Sequence, residues 1–341
     1  MKKLKFAVLG TVMASLLVGC SQNSNSSESV ATSGESGELK LKVAHYYAET
    51  HPQHIALVEK FEKTVEEKTN GAIDVEIYPS SQLGDEEQYT NGVRNGTIEM
   101  SVSGMGMQNA EPKIGAMELP FIFEDFDHAK AAFEGDVGTF LGDAFSQFGV
   151  ETLAVTANGF RVISSNREVS SMDDLKGLRL RLPNMDTYLK FGDAMKVSIQ
   201  PMGLSEVFTA LEQKVIDGQE NPYATLKESG FYEVQSHVLE SNHMFSPNVY
   251  LINQKFIDSL PEDQQTIIRD AAKEAAAYEW DLLTQSVDET KQFLADHGIE
   301  IVVPSDSFKA EMVEAVKPIH DNVINNTDWG KEYFELVEKY K

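Results

Sequence analysis

Arg161, Arg167, Arg179 and Arg181 fall in one stretch, Asn158 to Asn221, of a chain that holds 54 acidic and only 29 basic residues. A guanidinium is a planar fork that grips a carboxylate through two parallel hydrogen bonds, which lysine cannot do. Leu178, Leu180 and Leu182 alternate with Arg179 and Arg181, so a strand here puts three leucines on one face and both guanidiniums on the other. Pro183 ends it. The stretch closes on Asp217-Gly218-Gln219-Glu220-Asn221-Pro222. Such a segment suits a small anion, above all a carboxylate. The polar face of an edge strand for Arg161 and Arg181, and a turn residue before Pro222 for Asn221, fit the same spacing, which leaves both readings open.

Other chemistry is thinly represented. No Gly-rich phosphate loop, His-Glu-x-x-His, Gly-x-Ser-x-Gly or cysteine pair occurs, so neither a cofactor nor ATP binding is expected. His51 and His54 are three apart at a helix start, but no carboxylate or cysteine at a telling spacing joins them, and no metal is expected. A hydrolase using His51 or His243 with a nearby serine is the enzyme alternative.

At 341 residues the chain is long enough for two lobes with buried cores. Net charge is −25, and removing the first 19 residues, with their three lysines and no acid, takes it to −28. That field repels nucleic acid and anionic lipid, so any bound anion needs a local positive site. Lys2, Lys3 and Lys5 precede an apolar run, Phe6 to Leu17, too short to span a bilayer comfortably, and Leu17-Val18-Gly19-Cys20 matches a bacterial lipobox. The expectation is a lipoprotein signal peptide over 1–19 and lipidation of Cys20. Residues 20–38, rich in Ser, Asn and Glu, read as a flexible tether with a reach of roughly 20–25 Å. The folded body is then extracytoplasmic, held at the cell membrane by the anchor alone.

The elements that must position the arginines follow from periodicity. Leu39, Leu41 and Val43 predict a strand, Ile55 to Val65 a helix stopped near Gly71, and Ile73, Val75 and Ile77 a second strand. Such a βαβ unit implies parallel pairing. A helix over Glu86 to Gly96 and a strand over Ile98 to Val102 repeat the pattern, so the class is α/β. Val150, Leu153 and Val155 lead into the arginine stretch, and Val249 to Ile252 reads as a strand returning to the first lobe. Leu204 to Val215 predicts a helix capped by Ser205 and stopped by Gly218. Ser259-Leu260-Pro261-Glu262 reads as a capping box opening a helix of about 36 residues, roughly 54 Å, which is too long for one lobe. A late strand over Ile299 to Val303 and short helices interrupted at Pro318 complete the chain.

The sequence resembles the DctP-type extracytoplasmic solute-binding subunits of tripartite ATP-independent periplasmic (TRAP) transporters from about Leu39 to Gly298. The resemblance rests on Tyr78-Pro79-Ser80-Ser81-Gln82-Leu83-Gly84-Asp85, Leu119-Pro120-Phe121, Arg161 with Ser165-Asn166-Arg167, Leu175 to Pro183, Pro201-Met202, Ser205-Glu206-Val207, Asp217 to Pro222, and Phe231 to Gln235. It implies a two-lobed periplasmic-binding-protein-like fold with a ligand cleft, hinge strands and a long helix spanning both lobes. The implied division is 39–158 plus 247–286 for lobe I and 159–246 plus 287–341 for lobe II. It also implies that Arg181 makes the bidentate bridge to a ligand carboxylate, with Arg161 a second cleft arginine and Asn221 a cleft amide. Glu86, Tyr46, Tyr47, Tyr188 and Leu204 are candidates for the rest of the pocket. Where the sialic-acid members carry an acid and an arginine, this chain has Gly104 and Met107, and where many members have an aromatic it has Leu204. A C4-dicarboxylate or sugar acid is therefore expected rather than sialate, captured by a monomer and delivered to the membrane permease subunits. A receptor feeding a sensor system is the alternative within the fold.

Overall fold

The structure is a computed structural model and describes residues 39–341; the expected signal peptide, tether and Cys20 lie outside the described residues. Nine strands form one sheet: β1 Leu39–Ala44, β2 Ile73–Tyr78, β3 Met100–Ser103, β4 Val150–Ser165, β5 Arg179–Leu182, β6 Ser198–Pro201, β7 Gly218–Pro222, β8 His237–Asn253 and β9 Glu300–Val302. Their order is β2-β1-β3-β8-β4-β7-β5-β6, with β9 beside β8. The expected parallel pairing of β1 with β2 is present, and β1 also runs parallel to β3. The other end mirrors this arrangement, with β5 parallel to both β6 and β7. Between the two parallel ends lie β4 and β8, antiparallel to each other and to β7 and β3 respectively, while β9 runs parallel to β8.

β4 and β8 are much longer than the sequence suggests, at 16 and 17 residues, roughly 50–55 Å of extended chain. The expected strands around Val150–Val155 and Val249–Ile252 are only the ends of them. The first part of β4 pairs with β8 beside β3, and Arg161 to Ser165 pair with β7. Register shifts interrupt the β4–β8 ladder at three places, one between Ala157 and Gly159, where Gly159 has a φ of +107°. Side chains avoid that conformation, and the bulge it permits lies where the two halves of the sheet meet.

Each half has its own core. Leu41, Val43, Phe61, Val102, Tyr250 and Ile268 pack in one half, next to a second cluster around Phe123, Phe133, Phe145 and Phe245. Leu180, Leu182, Phe191 and Met244 form one cluster of the other half, and Val162, Leu211, Phe231 and Leu294 form its second. The long helix, Glu262–Asp296, contributes Ile268 and Ala271 near its start, Trp280 in its middle and Leu294 near its end, so it braces both halves. The last helix, Gly330–Glu338, packs Tyr333 and Val337 with Phe133 and Phe145. No helix among the described residues is long and apolar enough to cross a membrane.

Four local expectations are corrected. Ser259 closes the short helix Gln254–Ser259 by donating to Phe256 O at 2.7 Å, and Pro261 occupies the N-cap of the long helix without a side-chain cap. Pro318 does not break its helix, which runs unbroken over Asp306–Asn326, because Phe308, Met312 and Val316 hold one face in the core. Ser205 is not the cap of the helix Leu204–Glu212; Gly203 is, with the Glu206 carboxylate accepting from its N–H at 3.1 Å. Gly218 does not stop that helix but opens β7, where a Cβ would sit 2.3 Å from Ser164 O. Close approach of two strands requires glycine there.

Candidate functional site

A cleft of about 710 Å³ opens between the two halves, lined by Tyr46 and Glu86 from the first and Arg161, Arg181, Tyr188, Leu204 and Asn221 from the second. Seven of the eight residues expected in the pocket therefore meet in one place. The exception is Tyr47. It is buried in the first core and donates its hydroxyl to Asn248 Oδ1 at 2.9 Å, while its neighbour Tyr46 lines the cleft. The two rings lie side by side, 4.3 Å between centroids, with Tyr46 on the cleft side of the pair.

Alternation of β5 positions Arg181. Leu180 and Leu182 are fully buried in the core, which turns Arg179 and Arg181 to the other face. Arg179, half-exposed, pairs with Asp217 through Nε at 3.0 Å. Arg181 is only 4% exposed and donates Nε and Nη2 to the Met202 carbonyl at 3.0 and 2.8 Å. No carboxylate forms a salt bridge with it among the described residues, and burial lowers its pKa to about 10. A guanidinium stays protonated under such conditions. The shift therefore marks a desolvated cation short of a counter-ion.

Arg161 is equally buried but fully matched. Its Nη2 donates to Glu220 Oε1 at 2.9 Å and to Asn221 Oδ1 at 3.0 Å, and its Nε grips the second Glu220 oxygen at 2.5 Å. Its guanidinium lies 5.0 Å from the Tyr188 ring centroid. Burial would depress Arg161, but the Glu220 carboxylate more than offsets this and holds it above its ordinary value. Burial likewise pushes Glu220 up, and Arg161 and His243 outweigh it, so Glu220 lies below the usual carboxylate range. Asn221 is engaged too, donating to Gln219 Oε1 at 2.6 Å.

His243 is stacked on Phe191 at 4.3 Å, fully buried, and sits 3.3 Å from Glu220 Oε2 with Ser241 on its other nitrogen. His51 caps the helical run 52–68, accepting from Gln53 N–H at 3.1 Å. Both are built into the fold rather than presented in a cleft. His54 faces His45, not His51, and no group of three or more His, Cys, Asp or Glu among the described residues is placed to hold a metal.

Glu118 and Ser246 line the cleft as well and escape the sequence reading. Glu118 is buried and accepts from Tyr188 and Ser246 hydroxyls, each at 2.5 Å, and from Gln108 Nε2 at 3.3 Å. Burial raises its pKa. Ser246 also stands 3.5 Å from Arg161 Nη1. Glu86 begins the helix Glu86–Asn95, whose start is fixed by a reciprocal pair of hydrogen bonds between Asp85 and Gln88. Burial, then the nearby Glu118, pushes Glu86 up to about 7.

Such a cleft, with a buried guanidinium facing hydroxyls and carboxyls, suits a small polar anion. A solved TRAP periplasmic solute-binding protein of Haemophilus influenzae with bound L-gulonate is 44% identical, with a TM-score of 0.87, over 89% of this chain and all of that one. Another, from Roseobacter denitrificans with bound L-galactonate, is 31% identical with a TM-score of 0.80 over 89% and 98%. The 2,3-diketo-L-gulonate-binding periplasmic protein of Escherichia coli is 30% identical over 302 residues, 88% of this chain and 91% of the relative. A family model described as bacterial extracellular solute-binding protein, family 7, matches residues 43–327, and the chain belongs to this DctP family of TRAP solute receptors.

Proposed function

We propose that this protein captures a small sugar acid by a salt bridge from Arg181 to the ligand carboxylate and delivers it to a TRAP permease for ion-driven uptake. The observation that carries this reading is the unmatched, buried guanidinium of Arg181 in the cleft, because a desolvated cation is costly until an anion completes its hydrogen bonds. The bound L-gulonate and L-galactonate of the two solved relatives support a sugar acid over a C4-dicarboxylate. Taking the lobes as 39–158 with 247–286 and 159–246 with 287–341, a ligand held by Arg181 and touching Glu86 and Tyr46 contacts both. Its differential affinity for the closed form then favours closure, and the closed form is what a permease recognises. Cys20 supplies the lipid anchor.

The test is calorimetric titration of a panel of aldonates, uronates and dicarboxylates, with thermal melting alongside. A ligand at 100 Kd adds about 2.7 kcal/mol of stability. Arg181→Ala is expected to lose roughly 2–5 kcal/mol of binding, and Arg181→Lys, which lacks the fork, to be impaired as well. Unchanged affinity in a folded Arg181→Ala protein would sink the reading.

A further inference from the structure

We infer that Glu86 is the specificity-determining residue of the cleft: it accepts hydrogen bonds from hydroxyls on the part of the ligand remote from Arg181, and so selects a polyhydroxy monocarboxylate over a dicarboxylate. This inference rests on the reading of Arg181 as the carboxylate site.

The charge inventory of the cleft leads to it. Three arginines line the cavity. Arg161 is matched by Glu220, and Arg94 is exposed, bound to Asn91 Oδ1 at 2.9 Å and laid over the Phe148 ring. Of the three, Arg181 alone is buried without a counter-ion among the described residues, enough for one carboxylate. The acids are arranged on the other side. Glu118 has both oxygens occupied by Tyr188, Ser246 and Gln108. Glu86 receives the Gly106 N–H on Oε1 at 3.2 Å and a second backbone N–H from Gly104, and no side-chain donor reaches its carboxylate among the described residues. An ionised carboxylate accepts and never donates, so its partner must be a donor such as a hydroxyl. A second carboxylate placed there would meet Glu86 and Glu118 together, and like charges in a partly desolvated space repel strongly.

The surroundings are shaped for this side chain. A Cβ on Gly104 would lie 3.3 Å from Glu86 Oε1, and one on Gly106 only 2.9 Å away. The two glycines that leave the β3 end without side chains thus give the Glu86 carboxyl its seat. The charged and titratable groups around it are Glu118, which follows the helix Pro112–Ala116, Arg161 of β4, Tyr46 after β1 and Tyr89 on its own helix, with Asp85 and Glu87 its neighbours in the chain. With Glu86 poised at about 7, acidification converts it to a carboxylic acid that tolerates a neighbouring carboxylate.

Two ligand pairs isolate the effect. Glucarate is L-gulonate with its terminal CH₂OH replaced by a carboxylate, and galactarate stands in the same relation to L-galactonate. Titrations of wild type, Glu86→Gln and Arg181→Ala at pH 8 and pH 6, with melting curves to confirm folding, are expected to show an aldonate bound at least ~100-fold more tightly than its aldarate by wild type at pH 8. In Glu86→Gln that ratio is expected to fall about tenfold or more. Wild-type affinity for the aldarate is expected to rise toward pH 6, and that of Glu86→Gln to stay flat. An aldarate bound as tightly as its aldonate, or a ratio unchanged by Glu86→Gln, overturns the inference. If Arg181→Ala still abolishes aldonate binding in that case, the reading of the site survives. If neither aldonate binds to wild type, or if Arg181→Ala binds as wild type does, both fail.

Discussion

Arg161 and Arg181 stand on different strands of the same cleft, are equally buried, and have opposite electrostatic situations. Arg161, at the junction of the sheet halves, has a carboxylate, a carbonyl, an amide and an aromatic face around it, all from the protein. Arg181, on β5, has one backbone carbonyl. A charge the protein neutralises for itself belongs to the fold. A charge left unneutralised in a cavity stores an unfavourable desolvation that a ligand can relieve.

Stability should separate the two. Arg161→Ala leaves Glu220 buried with His243 as its one remaining side-chain partner among the described residues, and the expected loss is about 3–5 kcal/mol. Arg181→Ala removes a desolvated cation with no carboxylate partner, so its melting temperature is expected to equal or exceed that of the wild type without ligand. Chemical denaturation of both variants checks this. Equal destabilisation by the two substitutions would erase the distinction between a structural and a ligand-binding arginine.

Buried carboxyls show the same contrast. Glu220 has a depressed pKa, so its contribution is present above the unfolded glutamate value of about 4.3 and is lost as pH falls through its folded value. Glu279, in the middle of the long helix, accepts the Ala157 N–H at 3.0 Å on one oxygen, has no partner for the other among the described residues, and is pushed up to about 8 by burial. Here the native state holds the extra proton, so stability should fall as pH rises from about 4.3 to 8. Glu279→Gln keeps the acceptor for Ala157 and carries no charge. It is expected to flatten that decline and to be more stable than wild type by roughly 2–4 kcal/mol at pH 8. Parallel melting-temperature profiles for the two proteins would show that Glu279 is not the titrating group.

The sequence carries Arg181 plainly because the Leu178-Leu180-Leu182 alternation marks a half-buried strand and leaves the arginine on its other face. The same logic falls short in β8, where nearly every residue from Met244 to Asn253 is buried on both sides, so no alternation betrays the strand's length. Glu220, Glu118 and Ser246 acquire their roles through pairings remote in sequence, with β4 facing β7 at Ile163 and Glu220 and facing β8 at Gly159 and Ser246. Local spacing holds no trace of such registers. The place of Tyr47 behind Tyr46 likewise depends on the bend that follows β1 and on the remote partner Asn248, neither of which local spacing shows.

That tyrosine pair gives the finest version of the contrast. Tyr46 opens on the cleft and its hydroxyl lies 2.9 Å from that of Tyr47, which in turn donates to Asn248. Asn248 is fully buried and its Nδ2 already lacks a partner among the described residues. Tyr47→Phe strips the donor from its Oδ1 as well, and about 1 kcal/mol of stability should go with it while ligand affinity holds. Tyr46→Phe should do the reverse, lowering affinity with little change in melting temperature, because Tyr46 lines the cleft and Tyr47 does not. Titration and melting of the two variants side by side decide the matter. If Tyr47→Phe weakens binding as much as Tyr46→Phe does, the hydroxyl pair acts as one unit, and the ligand reaches past the cleft wall into the first core.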